Sequence, residues 1–285
     1  MCCTVGAGTK AELTDTRLYV GEATKDDKYV HVLAYQNNAK TNGPNAMILP
    51  FPTNVPMGPL NAIKTSGMKG FLNDIVEATK IPTKSMRSFS YAAVAGMSDS
   101  LAQVFDVGSY TVVLADKVTQ VPEALKRVAT IRRPEVTTQF LLHYGRLYPN
   151  QPVALCCWDG TIKDIEPLLW WYEPKNPDEL FIPTMDAHDG GPPDLNATVD
   201  TDHIITVGSR IQSNGHEVSY SDFLPADALA LLPLKAHGHQ VPYKIQNGDS
   251  FVSVAQLRGS SRDNVIIKRG ANSNTIHSEN RMRGW

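Results

Sequence analysis

The sequence predicts an α+β fold, mainly antiparallel β-sheets in a sandwich-like arrangement with three or four short helices. The first observation behind this is about ten short runs rich in β-branched and aromatic residues, punctuated by Gly, Pro, Asn and Asp. The second is that apolar residues recur at helical spacing in only a few stretches. The third is that strands and helices do not alternate strictly, as a parallel-sheet fold would require.

The elements follow in order. Arg17–Ala23 and Tyr29–Tyr35 read as strands. In the second, Val30, Val32 and Ala34 share one face while Tyr29, His31, Leu33 and Tyr35 share the other. Both faces are mostly apolar, so this strand is expected to be covered on both sides. Asn42-Gly43-Pro44 leads into Asn45–Pro50, and Pro50, Pro52, Pro56 and Pro59 then mark an irregular, extended segment. From Gly67, the spacing of Phe71, Leu72, Ile75, Val76 and Ala78 predicts a helix. A strand is expected at Tyr110–Leu114, a short helix over 121–129 opened by Val121-Pro122-Glu123, and a helix over 135–147 carrying Phe140, Leu141, Tyr144 and Leu147.

Strands are predicted at 152–158, 166–173, 179–184, 203–208, 241–246, 250–257 and 264–268, with a short helix near 225–232 and a long polar loop over 186–202. Residues 1–257 read as one β-rich domain. From 258 the chain turns polar and basic: Arg258, Arg262, Lys268, Arg269, Arg281 and Arg283 face only Asp263 and Glu279. That segment reads as a solvated tail, or as an arm in which Arg281, Arg283 and Trp285 contact a partner.

Composition narrows the function classes. The chain has 285 residues, 42% hydrophobic and 20% charged, with a formal net charge of −2, which is globular and excludes a broad nucleic-acid-coating surface. No run approaches the roughly 18 apolar residues of a membrane helix. No basic segment precedes an apolar export core, so the expected location is the cytoplasm.

The four cysteines form two adjacent pairs. Adjacent strand residues face opposite sides, so Cys156 and Cys157 are expected to pack as separate reduced thiols, not to share a metal. Cys2 and Cys3 admit three readings: structural thiols, a peripheral lipid anchor, or a nucleophile in which Cys2, exposed by loss of Met1, is activated by its own α-amine.

The order of several segments carries a resemblance. Asp15-Thr16-Arg17-Leu18-Tyr19-Val20 is followed by Tyr35-Gln36-Asn37, by Gly43-Pro44 with Ile48-Leu49-Pro50-Phe51-Pro52, and by Val107–Val112. Pro152-Val153-Ala154-Leu155 then precedes Glu166-Pro167-Leu168. This layout resembles a bacterial family known as domain of unknown function number 2330, over roughly residues 1–185. The resemblance implies a β-rich fold and supplies no catalytic residue; members of that family are typically exported, whereas this sequence is expected to carry no export signal.

Two segments could carry metal chemistry. Asp186-Ala187-His188-Asp189-Gly190-Gly191 continues to Asp200-Thr201-Asp202-His203, so Asp186, His188, Asp189 and His203 offer carboxylate and imidazole ligands for a divalent ion that would activate water. His237-Gly238-His239 places two imidazoles on one side of an extended chain. Against this, Asp, Gly and Pro are ordinary loop chemistry. Gly6-Ala7-Gly8-Thr9-Lys10 lacks the full phosphate-loop pattern, and no Gly-x-Ser-x-Gly is present. Trp170-Trp171-Tyr172 reads as rings alternating between the core and a partly covered face.

The reading that follows is a non-enzymatic interaction or self-assembly protein, a homo-oligomer or a binder of another protein, with no cofactor favoured. The alternative is a hydrolase using either Cys2 or a metal in the 186–203 loop.

Overall fold

The computed structural model describes residues 3–9, 11–79, 102–161, 165–212, 214–259 and 267–270, the last three by backbone alone. In chain order the first strands are β1 (Cys3–Thr4), β2 (Ala11–Lys25), β3 (Lys28–Thr41), β4 (Asn45–Pro50), β5 (Ala62–Ile63), β6 (Ala102–Val107), β7 (Tyr110–Ala115) and β8 (Val153–Trp158). They continue as β9 (Leu168–Tyr172), β10 (Glu179–Ile182), β11 (Thr198–Asp200), β12 (Ile204–Ser209), β13 (His216–Glu217), β14 (Lys235–Gln240), β15 (Lys244–Gln246), β16 (Asp249–Ser253) and β17 (Ile267–Gly270). The α-helices are α1 (Phe71–Ala78), α2 (Val121–Leu125), α3 (Thr138–Leu147), α4 (Ala226–Leu229) and α5 (Val254–Gly259).

Two sheets dominate. One has the order β13-β14-β12-β2-β3-β9-β5, antiparallel throughout except where β12 runs parallel to β2. The other, β1-β4-β8-β7-β6, is wholly antiparallel. Smaller sheets join β10-β16-β17 and β11-β15. The expected α+β class with antiparallel sheets is therefore what the chain forms.

Alternation along the strands builds the layers. Leu18, Val20, Leu33, Tyr35, Trp170, Ile205 and Val207 of the larger sheet share one core with Met47, Leu49, Val112, Leu114, Ala154 and Cys156 of the smaller one. On the larger sheet's far face, Tyr19, Val30, Val32, Ala34 and Leu169 pack under Phe71, Leu72 and Ile75 of α1 and Ala228 of α4. On the smaller sheet's far face, Ile48, Val113, Leu155 and Cys157 pack under α2 and α3. The result is helix, sheet, sheet, helix, with β3 covered on both faces as its sequence predicts. Cys156 and Cys157 enter different cores, and neither is in a disulfide.

Local chemistry sets the ends of elements. The β2–β3 hairpin turns through Asp26 and Asp27, both at positive φ (51° and 60°), as a two-residue turn between right-twisted strands demands. Thr137 caps α3, its hydroxyl accepting the Phe140 N–H at 3.1 Å. Gly21 and Gly208 lie side by side on β2 and β12, where a Cβ on Gly21 would sit 2.5 Å from the Gly208 carbonyl oxygen.

Several expectations are corrected. Of the predicted strand over 241–246 only 244–246 forms, as β15, while β14 lies before it in a stretch not expected to be a strand, and 250–257 divides into β16 and the helical α5. The expected boundary at 257/258 falls inside α5, and Ile267 is buried in the central core, so Arg258 and residues 267–270 belong to the body. The rest of the predicted strand 264–268 before 267, together with Arg281, Arg283 and Trp285, lies outside the described residues.

Candidate functional site

The most compact polar constellation crosses the inner face of the larger sheet at one end. Register places Ser209 (β12), Glu22 (β2), His31 (β3) and Tyr172 (β9) side by side. The Glu22 side chain is fully buried. Its Oε1 accepts the Ser209 hydroxyl at 2.7 Å and Arg258 Nε at 2.9 Å; its Oε2 accepts the Tyr29 hydroxyl at 2.8 Å and Arg258 Nη2 at 2.5 Å. Burial alone pushes the carboxyl pKa up, but donors from Arg258, Ser209 and Tyr29 outweigh it and hold the group below its ordinary value.

The surrounding groups are equally engaged. Ser209 Oγ accepts the N–H groups of Ile211 and Gln212 at 3.1 and 2.8 Å. The Arg258 carbonyl accepts Asn214 Nδ2 at 2.6 Å and Gln212 Nε2 at 3.3 Å, fastening α5 over the row. His31 lies edge-on to Tyr29 and Tyr172, with ring centroids 5.5 and 5.8 Å away, and burial lowers its pKa to about 4. Chemically, the Ser209 proton points at a carboxylate that Arg258 already neutralises, and His31 is a neutral ring behind Tyr29. The row is thus an electrostatic fastener between β2, β12 and α5.

A second constellation borders a cleft of about 180 Å3, open mouth included, lined by Cys3, Tyr144, Tyr148, Met185 and Asp249 among others. Asp249 accepts the Tyr148 hydroxyl and the N–H groups of Thr184 and Met185, both at 3.1 Å. Burial and then the Asp249 carboxylate raise the Tyr148 pKa. Cys3 Sγ lies 3.7 Å from the Met185 carbonyl, as its donor. The cleft's enclosed space of about 10 Å3 is room for about one water molecule, far short of an ordinary ligand pocket.

The structure brings the residues expected for a metal together only in part. Asp186 Oδ1 and His188 Nε2 are 2.8 Å apart. Asp189 Oδ1 instead accepts the Gly191 N–H at 2.9 Å, and His203 is buried just before β12. Among the described residues no group of three or more His, Cys, Asp or Glu side chains is placed to hold a metal ion. The loop's backbone is stitched to the first strands: Thr4 N–H donates to Ala187 O at 2.8 Å and Ala11 N–H to His188 O at 3.2 Å. His237 and His239 do share one face, opposite Val207 and Ile205, and burial, aided by His237, lowers the His239 pKa to about 4. Cys2 lies outside the described residues, while its neighbour Cys3 is 3% exposed in β1. Trp170 is buried and Trp171 half-buried on the opposite face, the alternation the sequence implies.

Glu22, Tyr29, Ser209 and Arg258 were not signalled as a set by the sequence reading. The available sign is Glu22 itself, a charge on the strand face that Leu18 and Val20 share, which needs a buried partner.

No family model matches the chain, and no curated protein does. The structure is similar, at a TM-score of 0.39 and 13% identity, to a crystal structure of a mutated baculovirus P35 after caspase cleavage, over 69% of this chain and 68% of that one. A likeness of that degree carries no argument here.

Proposed function

We propose that this is a non-enzymatic interaction or self-assembly protein that works through its surface. The observation that carries the reading is the excursion 218–234, which covers one face of the larger sheet. Val218, Tyr220 and Leu224 pack against the core, while Phe223 is 87% exposed, Leu234 51% and Leu229 42%. A large aromatic held in solvent, on the same excursion as two exposed aliphatic side chains, is the chemistry of an interface anchor. The buried ionic row supports the same reading, since its members serve one another. Cys156 and Cys157, buried and in no disulfide, support a reducing, cytoplasmic setting, and no helix among the described residues is long and apolar enough to cross a membrane.

Sedimentation velocity over a wide concentration range tests the proposal. Concentration-dependent association is expected for the native chain. Phe223→Ser should weaken it about tenfold or more while leaving the melting curve in place, as loss of an anchor does. A monomer at every concentration, with Phe223→Ser indistinguishable from it, would remove the basis for self-assembly through this excursion.

A further inference from the structure

The chain contains three Asn-Gly pairs, at 42–43, 214–215 and 247–248. In such a pair the glycine nitrogen can reach the asparagine side-chain carbon, because no Cβ on the second residue blocks the approach or restricts the backbone. Whether it does depends on how firmly the amide and the following nitrogen are held.

The three pairs differ sharply in that respect. Asn247 is buried, its Nδ2 donating to Asp186 O at 2.8 Å and Asp194 O at 3.0 Å while its Oδ1 accepts the Asp186 N–H at 2.8 Å. Asn214 Nδ2 donates to Arg258 O at 2.6 Å. Asn42 is exposed, and its amide is hydrogen-bonded to none of the described residues. One brace remains nearby: Thr41 Oγ1 accepts the Gly43 N–H at 3.1 Å and donates to Gly43 O at 2.5 Å.

We propose that Asn42 is a site of spontaneous deamidation, restrained by the Thr41 hydroxyl. Gly43 N loses its proton and bonds to Asn42 Cγ. The bond from Cγ to Nδ2 breaks, and ammonia leaves carrying that proton. Water then opens the resulting five-membered imide at either carbonyl, giving aspartate or isoaspartate. Water is the sole co-reactant.

The position gives the modification its consequence. The 42–44 turn is where the chain leaves the larger sheet through β3 and enters the smaller one through β4. Gly43 is pressed against Gly160, where a Cβ would lie 2.3 Å from the Gly43 carbonyl oxygen. An isoaspartate inserts a methylene into this tight crossing and adds a negative charge, so the aged protein melts earlier than fresh protein.

Peptide mapping by mass spectrometry, on full-length protein aged at mildly alkaline pH, tests the proposal. Conversion of amide to acid should concentrate at Asn42, with Asn214 and Asn247 at least about tenfold slower, the rate equivalent of one or more retained hydrogen bonds. Thr41→Val should accelerate conversion about fivefold, and Thr41→Ser, which keeps the hydroxyl, should leave the rate near native. Conversion first at 214 or 247, or an intact Asn42 after a synthetic 38–47 peptide has converted, overturns the site. Equal rates in Thr41→Val and Thr41→Ser overturn the restraint, and melting curves recorded for both variants confirm that they are compared as folded proteins.

Discussion

Arg258→Ala should destabilise the protein by about 3–5 kcal/mol, whereas Glu22→Gln should cost only about 1–2 kcal/mol. The asymmetry comes from where the two charges sit. The Glu22 side chain is wholly buried, and without Arg258 its carboxylate has no cation to answer it. The Arg258 side chain is 40% exposed, so without Glu22 it regains water; that exposure also puts the Arg258→Ala cost toward the lower end of its range. Acid narrows the gap between the native protein and Arg258→Ala. In the native chain Glu22 titrates below its ordinary value, so the pair's contribution is complete above the unfolded carboxylate range and is lost as pH falls through the depressed pKa. In Arg258→Ala burial dominates, the folded group titrates above its unfolded value, and the deficit shrinks as the pH is lowered. Urea midpoints of the two proteins should therefore converge toward acid pH; curves that stay parallel would refute the assignment.

His31 should make folding weaken between about pH 6.5 and pH 4. Burial lowers its pKa to about 4 in the folded state, so across that interval the unfolded chain holds a proton that the native one refuses. The largest loss from this one ring is about 3 kcal/mol, reached near the folded pKa. His239, also lowered to about 4, acts in the same direction. His31→Phe keeps the edge-on contacts with Tyr29 and Tyr172. It should then be flatter in stability than the native protein between neutral pH and pH 4.5, by chemical denaturation. An identical slope in the two proteins would mean that folding leaves the His31 pKa unshifted.

Much of the architecture was legible where a strand's composition matches its surroundings. The two apolar faces of β3, the opposed thiols of β8 and the helical spacing of α1 all report burial directly. Legibility failed where partners supply what composition lacks. Lys235–Gln240 is polar and contains Gly238, yet it forms a strand because β12 and β13 flank it. Val254 and Leu257 are three apart and both buried, a helical spacing hidden behind the β-like Phe251-Val252. The ionic row was unreadable for another reason: Glu22 and Arg258 are 236 residues apart, and only the fold makes them neighbours. The 186–203 loop looked like a ligand set because hinge chemistry and metal chemistry draw on the same residues.

The parallel seam between β2 and β12 also sets a timetable. Ser209 meets Glu22 across 187 residues of chain, so a nascent molecule carries β2 with one flank unzipped until β12, ending at Ser209, has been made. During that interval the unfinished border, including Gly21 with no side chain to shield it, is open to stray pairing with other chains. Refolding from denaturant should accordingly be slow and prone to turbidity at high protein concentration, and synthesis of the late segment becomes the moment at which the molecule closes.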